Sequence, residues 1–369
     1  MTTSDQRLVI IPSITDSSKT RSLPAAHKAT DVRLGRIVRL LMGYATVVVS
    51  GTKIAEEMGT TRSEVWRLIQ QLRGLGVDVA GHPATGYQLR SVPDLLLPEM
   101  LAGALKGTVF GMQSGANSGK QIRHYYKIGS TNSEAMHAAS EGAPEGSVFL
   151  AEEQLAGRGR GAHSWHSARS SGIYCSVILR PAMPPSDALI FSLAAGLAVR
   201  AAVEEIAPQL AVDLKWPNDL LLGGKKFCGI LTEMNAEATR VRHLVVGVGI
   251  NVNQVKFAAE LREIATSLRI ETGTEWSRVE LCAALLKSLD REYRSLVHDV
   301  GARDAILRRF EESSSSVRGR KVTIEVNTDE NGGLAGVTEG LDERGFLRVR
   351  TAEGLQTVVS GTVRLIGNL

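Results

Sequence analysis

Cysteine is scarce in this 369-residue chain. The three present, Cys175, Cys228 and Cys282, are far apart and form no C-x-x-C pair. That argues against a disulfide framework or a cysteine-built zinc site and fits a reducing compartment. Charge of one sign is lacking too. The 43 Lys and Arg against 39 Asp and Glu leave a net charge of +4, so any contact with an anionic partner must rest on local clusters. Long hydrophobic runs are absent. Leu8–Ile11 has no basic region before it, as an export signal would. The longest apolar stretch, 188–199, is interrupted by Ser192 and Gly196 and is too short to span a bilayer. It reads as a buried helix, and the chain reads as a cytoplasmic protein with no membrane partner. What remains is an ordinary globular composition, 43% hydrophobic and 22% charged, at a length that suits two or three domains.

Residues 1–30 carry no lasting periodicity and read as a flexible tail. From Asp31 the pattern is helical, with Leu34, Ile37, Val38 and Leu41 at i, i+3, i+4 and i+7. A short helix over Lys53–Met58 ends at Gly59. Thr61-Arg62-Ser63-Glu64 is a capping box opening a third helix, whose buried side is Val65, Leu68, Ile69 and Leu72. Val77–Val79 and Tyr87–Leu89 then flank a Gly/Pro turn as a two-stranded wing. Residues 31–91 are therefore expected to form a winged helix-turn-helix, with Arg62, Ser63, Arg67 and Gln70 on the outer side of its third helix, where a recognition helix reads bases. Eight Lys or Arg against five Asp or Glu in that span give only a modest basic excess. A winged helix that serves only as a protein-contact module is the rival for this part.

Ser91–Asp94 reads as a short linker. Residues 95–315 alternate strands (148–152, 173–179, 244–248) with helices, clearest at 188–206 and 278–297, as an α+β or α/β domain does. Ser313–Ser316 is a polar break. Beyond it, 321–326, 336–341, 346–350 and 355–359 are short alternating strands, and 317–369 is expected to be a small SH3-like β-barrel.

Three segments carry chemistry. In Gln154-Leu155-Ala156-Gly157-Arg158-Gly159-Arg160-Gly161 the glycines let the backbone approach a ligand closely, while Arg158 and Arg160 can each fork two hydrogen bonds onto a phosphate or carboxylate. No Gly-Lys-Ser/Thr follows, so it is not a Walker loop. A basic, mobile surface loop fits the pattern equally well. Lys215-Trp216-Pro217-Asn218-Asp219-Leu220 places polar groups between apolar strand residues. Lys226 follows in an apolar strand; such a lysine either snorkels to the surface or aims a fixed charge at a reacting centre. In Gly247-Val248-Gly249-Ile250-Asn251 the glycines signal close approach to a backbone, and Asn251 offers a donor and an acceptor. His163 and His166 lack a nearby third ligand and read as non-metal histidines.

In this order the segments resemble the biotin–protein ligase family, in its bifunctional form that is both ligase and biotin-operon repressor. The resemblance covers about residues 31–369 and is most specific at G-R-G-R, K-W-P-N-D, the K-x-x-G-I-L that begins at Lys226, and G-V-G-I-N; Ser130-Thr131-Asn132 matches the family's S-T-N turn. It implies an α+β multidomain protein with a winged helix-turn-helix, a central class II synthetase-like α/β catalytic domain and the SH3-like barrel. Biotin would be activated with ATP and Mg2+, then passed to a lysine of the biotin carboxyl carrier protein of acetyl-CoA carboxylase. Operator DNA and a ligand-induced homodimer are implied as further partners.

By position, the resemblance makes Ser130, Thr131, Asn132, Gln154, Arg158, Gly159, Arg160, Tyr174, Ser176, Lys226 and Gly229 biotin-binding. It assigns Arg158, Arg160, Trp165, Lys215, Asn218 and Asn251 to ATP, and Lys226, Arg158 and Arg160 to catalysis. Asp219 would help Mg2+ or the incoming lysine; the metal ligands stay open. One departure stands out: where the family often carries further cations, the chain has Gly161-Ala162-His163-Ser164. A lipoate–protein ligase and a DNA-binding sensor without catalysis are the alternatives.

Overall fold

A computed structural model describes residues 25–44, 47–111, 121–325 and 333–366. Most of the expected tail, residues 1–24, lies outside them. The first helix, α1 (Ala25–Gly43), begins six residues before Asp31. After it come α2 (Gly51–Met58), capped by Ser50 and closed by left-handed Gly59, and α3 (Arg62–Gly74). Thr61 Oγ1 accepts the Glu64 N–H at 3.2 Å, which is one half of the expected capping box. Glu64's carboxylate instead takes Arg67 at 2.6 and 2.8 Å and Arg33 at 3.2 Å. The wing is β1 (Val79–His82) against β2 (Gly86–Leu89), so Val77 and Asp78 precede the first strand. Gly86, at φ 140, packs so close to the Val49 backbone that a Cβ would lie 2.0 Å from its carbonyl oxygen.

The chain that follows the expected linker, Ser91–Asp94, is packed on both sides. Leu95 and Leu97 are buried with Leu34, Val38, Val65 and Leu68 of the winged helix, whereas Leu96 between them is buried in the core of the next domain. This is the two-residue alternation of extended chain, here covered on both sides. A single helical turn, α4 (Pro98–Leu101), follows.

The central domain comprises β3 (Ile122–Tyr125), α5 (Thr131–Ser140), β4 (Val148–Ala151), β5 (Gly172–Leu179), α6 (Leu189–Ile206), β6 (Asp213–Lys215), β7 (Asp219–Leu222), β8 (Lys225–Ala236), β9 (Val241–Asn251), α7 (Leu268–Thr272), α8 (Arg278–His298) and α9 (Ala302–Glu312). Its seven strands are ordered β3-β4-β5-β9-β8-β7-β6. Only β3 and β4, joined through α5, are parallel. Ile173, Cys175, Val177 and Leu179 of β5 face the core shared with α6, α8 and α9, while Tyr174 and Ile178 face α5. Both faces are covered, so β5 is buried along its whole length. Helix α6 has the length and apolar composition to cross a membrane but is packed in this core.

The C-terminal strands β10 (Arg318–Glu325), β11 (Leu334–Leu341), β12 (Leu347–Thr351), β13 (Gly354–Val358) and β14 (Thr362–Leu365) form an antiparallel sheet ordered β13-β12-β11-β10-β14. Val326, expected in the first of them, lies outside the described residues. The outer strands β13 and β14 do not pair, so among the described residues the sheet is open and not the closed barrel expected. Trp216 Nε1 donates to Gly345 O at 2.9 Å and holds the C-terminal sheet to the central domain.

Candidate active site

The α5 face of β8 and β9 lacks side chains where most sheets carry them. Gly229 and Gly249 are register partners across the two strands, and Gly247 is two residues earlier in β9 on the same face. Added Cβ atoms would not fit. At Gly247 one would sit 1.9 Å from Asn132 Oδ1; at Gly249 and Gly229, 2.6 and 2.9 Å from the Trp165 ring. The glycines let Asn132 and Trp165 pack against the sheet beside an open cleft of about 440 Å3, counting the solvent at its mouth.

One wall of the cavity is the N-terminus of α5, where Ser130 Oγ caps the Ser133 N–H. Thr131 donates its N–H (2.8 Å) and hydroxyl (3.1 Å) to Gln154 Oε1, and Gln154 Nε2 donates to Ser167 Oγ at 2.9 Å. Ser176 Oγ, fully buried beneath, lies 2.6 Å from Asn132 Oδ1, to which it donates, and 2.8 Å from Thr131 Oγ1. Asn132 Nδ2 donates to Leu231 O and to Glu233. Burial pushes the Tyr174 phenol up, so it stays neutral, and it donates to Ala168 O at 2.8 Å. This polar wall is fully paired and sits at a helix N-terminus, which favours an anionic or carbonyl-bearing ligand.

The facing wall is the Gly157–Ser164 hairpin. Gly159 N–H donates to His163 O at 2.7 Å, and Arg158 bridges Ser164 across the turn. Gly157 is required, because a Cβ there would lie 2.4 Å from Trp165 O. Arg158, half exposed, pairs with Glu233 at 2.8 Å. Arg160 lines the cavity and has no ion-pair partner among the described residues. Burial draws its pKa down and the charge of Asp219 opposes this; a guanidinium stays cationic either way.

Lys226 closes the site. Leu221 is paired with Lys226 but Leu220 with Cys228, so Phe227 is a bulge. Both Phe227 and Cys228 then enter the core, and Lys226 comes onto the same face as Gly229. Without the bulge, strict alternation would put the lysine on the opposite face. Its Nζ lies 2.6 Å from Asp219 Oδ1 and 5.4 Å from the centre of the Trp165 ring.

Ser130, Thr131, Asn132, Gln154, Arg158, Gly159, Arg160, Trp165, Tyr174, Asn218, Lys226 and Gly229 all line this one cavity. Three anticipated residues do not. Ser176 supports the wall from below. Lys215, at the β6–β7 end, is outside the lining. Asn251 is buried, with its amide donating to Thr266 O and accepting from Gln254. The sequence reading did not single out Leu231 and Val248, which line the cavity, or Glu233, the counterion of Arg158. Glu233 is 75 residues from that arginine in the chain and has no motif of its own. Among the described residues no cluster of three His, Cys, Asp or Glu could hold a metal, and His163 and His166 are exposed. On the winged helix Arg62, Ser63 and Arg67 are exposed and Gln70 half-buried. Trp66 beside them is 57% exposed and was not anticipated.

Three family models match this chain. The model of the biotin/lipoate A/B protein ligase family matches residues 126–251, an HTH domain matches 33–88, and the biotin protein ligase C terminal domain matches 319–365. The bifunctional ligase/repressor BirA of Bacillus subtilis is 34% identical over 331 residues, covering 89% of this chain and 97% of that protein. The biotin--[acetyl-CoA-carboxylase] ligase of Mycobacterium tuberculosis is 31% identical over 277 residues, covering 73% and 97%. The structure of the Aquifex aeolicus biotin protein ligase in complex with biotin and ATP aligns with a TM-score of 0.57 at 28% identity, covering 68% of this chain and all of that one. The chain belongs to the biotin protein ligase family, in its bifunctional ligase/repressor branch.

Proposed function

We propose that the cavity on the glycine floor binds biotin and ATP, forms biotinyl-AMP and passes the biotinyl group to a lysine of the biotin carboxyl carrier protein of acetyl-CoA carboxylase. The observation that carries this reading is the meeting, in one cavity, of a prebuilt polar wall with Arg158, Arg160 and Lys226. A biotin-sized neutral ring system with a carboxylate tail needs both. Gln154, Thr131 and Asn132 hold the ring, with Ser176 fixing their orientation.

Two anions have to meet, so cations are placed where they meet. The carboxylate oxygen attacks the α-phosphorus of ATP, the bond to the β-phosphate oxygen breaks, and pyrophosphate leaves. Lys226 and Arg160 offset the charge gathered there. Arg158 exchanges Glu233 for the substrate anion. The ε-amine of the acceptor then attacks the acyl carbon and AMP departs. Asp219, beside Lys226, is the carboxylate nearest to guide that amine. A magnesium ion arriving on the nucleotide would be carried by the phosphates, with Asp219 as the carboxylate beside Lys226 able to help hold it, and would supply further charge neutralisation. Trp165 and Asn218 take the nucleotide side.

The winged helix is read as the repressor part, with Arg62, Ser63, Arg67 and Gln70 towards operator DNA. Biotinyl-AMP then acts as corepressor by favouring a two-fold dimer that offers two recognition helices to two half-sites. The setting is the cytoplasm. The deciding experiment incubates the protein with biotin, MgATP and a biotin carboxyl carrier domain and weighs the carrier. One added biotinyl group per carrier, absent when lipoate replaces biotin, is expected. An unmodified carrier, together with no biotin-dependent exchange of pyrophosphate into ATP, contradicts the reading.

A further inference from the structure

The segment joining the winged helix to the central domain ends in a buried charge network that the reaction does not use. Asp94 accepts from Arg278 Nε at 2.9 Å and caps α8 through the Val279 N–H at 3.1 Å. Arg278, 1% exposed, reaches on to Glu152 at 2.7 Å and to Gly172 O at 3.2 Å. Glu152, fully buried, also accepts the Leu96 N–H at 2.9 Å and contacts His124 Nε2 at 3.0 Å. The His124 ring meets Tyr126 edge-on, and Tyr126 is buried in the winged helix's own core. Burial alone would raise Glu152, but Arg278, His124 and the Leu96 N–H outweigh it and bring its pKa down to about 2, so it is a carboxylate at neutral pH.

The other end of the network is the pocket. Glu152 is two residues before Gln154, and Gly172 is two residues before Tyr174, in runs of backbone tied to the sheet. The network therefore reaches the polar wall at two points, each two residues from a wall side chain, and grips the interdomain segment directly. A buried ion network does not slide by degrees, because any partner that leaves strands a desolvated charge.

We propose that Asp94 and Arg278 are positioning residues that couple the interdomain segment to the pocket wall carrying Gln154 and Tyr174, so that pocket occupancy and the seating of the winged helix change together. This rests on the ligase reading for the identity of the ligand. Coupling of this kind is reciprocal: what the pocket does to the segment, the segment does to the pocket.

The test is amide hydrogen exchange at Leu96 in the full chain, with and without biotin, beside biotin affinity by calorimetry. In the unmutated protein, biotin should slow Leu96 exchange by roughly fivefold or more. Asp94→Asn keeps the shape but not the charge and is partly solvent-exposed, so it should fold. It should bind biotin a few-fold more weakly, raise KM for biotin with kcat unchanged, and lose the Leu96 response. Arg278→Lys, which keeps the charge and loses the fork, should retain part of it. If the unmutated chain binds biotin and Leu96 does not respond, or if Asp94→Asn responds in full, the coupling is wrong. Absence of biotin binding by the unmutated chain overturns the ligase reading beneath it.

Discussion

On one side of the cavity the polar groups are paired before any ligand arrives. Gln154 is held by Thr131 and Ser167, and Asn132 by Ser176, Leu231 and Glu233. On the other side the groups wait. Arg160 has no ion-pair partner among the described residues, and Arg158 leans on a carboxylate that a substrate can displace. The first side resembles a rigid receptor, in which little conformational freedom is left to lose on binding. The second is a hairpin held by its own backbone bonds, with cations that a bound anion can engage. Under the proposed function, the contrast would give biotin affinity to the α5 wall and control of the activated intermediate to the hairpin, with Lys226 between them.

The largest effect should come from the residue both sides share. Lys226→Ala should lower biotin-dependent pyrophosphate exchange by about a hundredfold or more while biotin still binds, because it removes a charge aimed at the reacting atoms. Exchange near the unmutated rate would remove Lys226 from catalysis. Next is Gly247→Ala, which drives a methyl group into Asn132. Overpacking of this kind costs about 1–3 kcal/mol, so biotin affinity by calorimetry should fall roughly ten- to a hundredfold. An unchanged affinity would show that the wall is not rigid. Arg160→Gly should let activated biotin escape, visible as biotin on added albumin in a blot; a clean albumin lane would sink the clamp. The smallest effect is expected from His163→Arg. Restoring one exposed cation is worth under about 1 kcal/mol, so release of biotinyl-AMP followed by stopped-flow fluorescence should slow only a few-fold. No change at all would make the cation-poor hairpin irrelevant to retention.

Much of this arrangement was legible in the sequence. The capping hydroxyl of Thr61 follows from the capping-box pattern, the core face of α3 and the apolar run of β5 follow from the spacing of apolar residues, and residues of all three chemistry-bearing segments do converge on one cavity. Other features depend on contacts that spacing does not encode. The Phe227 bulge is one extra residue in an apolar run, yet it decides which face Lys226 occupies. Glu233 and Asp94 find their arginines across 75 and 184 residues. The strand β14 was missed because Thr362–Leu365 is short and mostly exposed, with only Val363 buried. Asn251 shows the converse: a conspicuous polar residue at a glycine-rich strand end is buried and hydrogen-bonded to Thr266 and Gln254, away from the cavity lining.

The division of labour between the two walls is tested most directly by measuring biotin affinity and biotinyl-AMP dissociation on the same preparation of Arg160→Gly. The account predicts biotin affinity within about threefold of the unmutated protein and biotinyl-AMP release at least about tenfold faster, as the loss of one charge-assisted hydrogen bond to phosphate requires. Equal losses in both, or a loss confined to biotin, would contradict it.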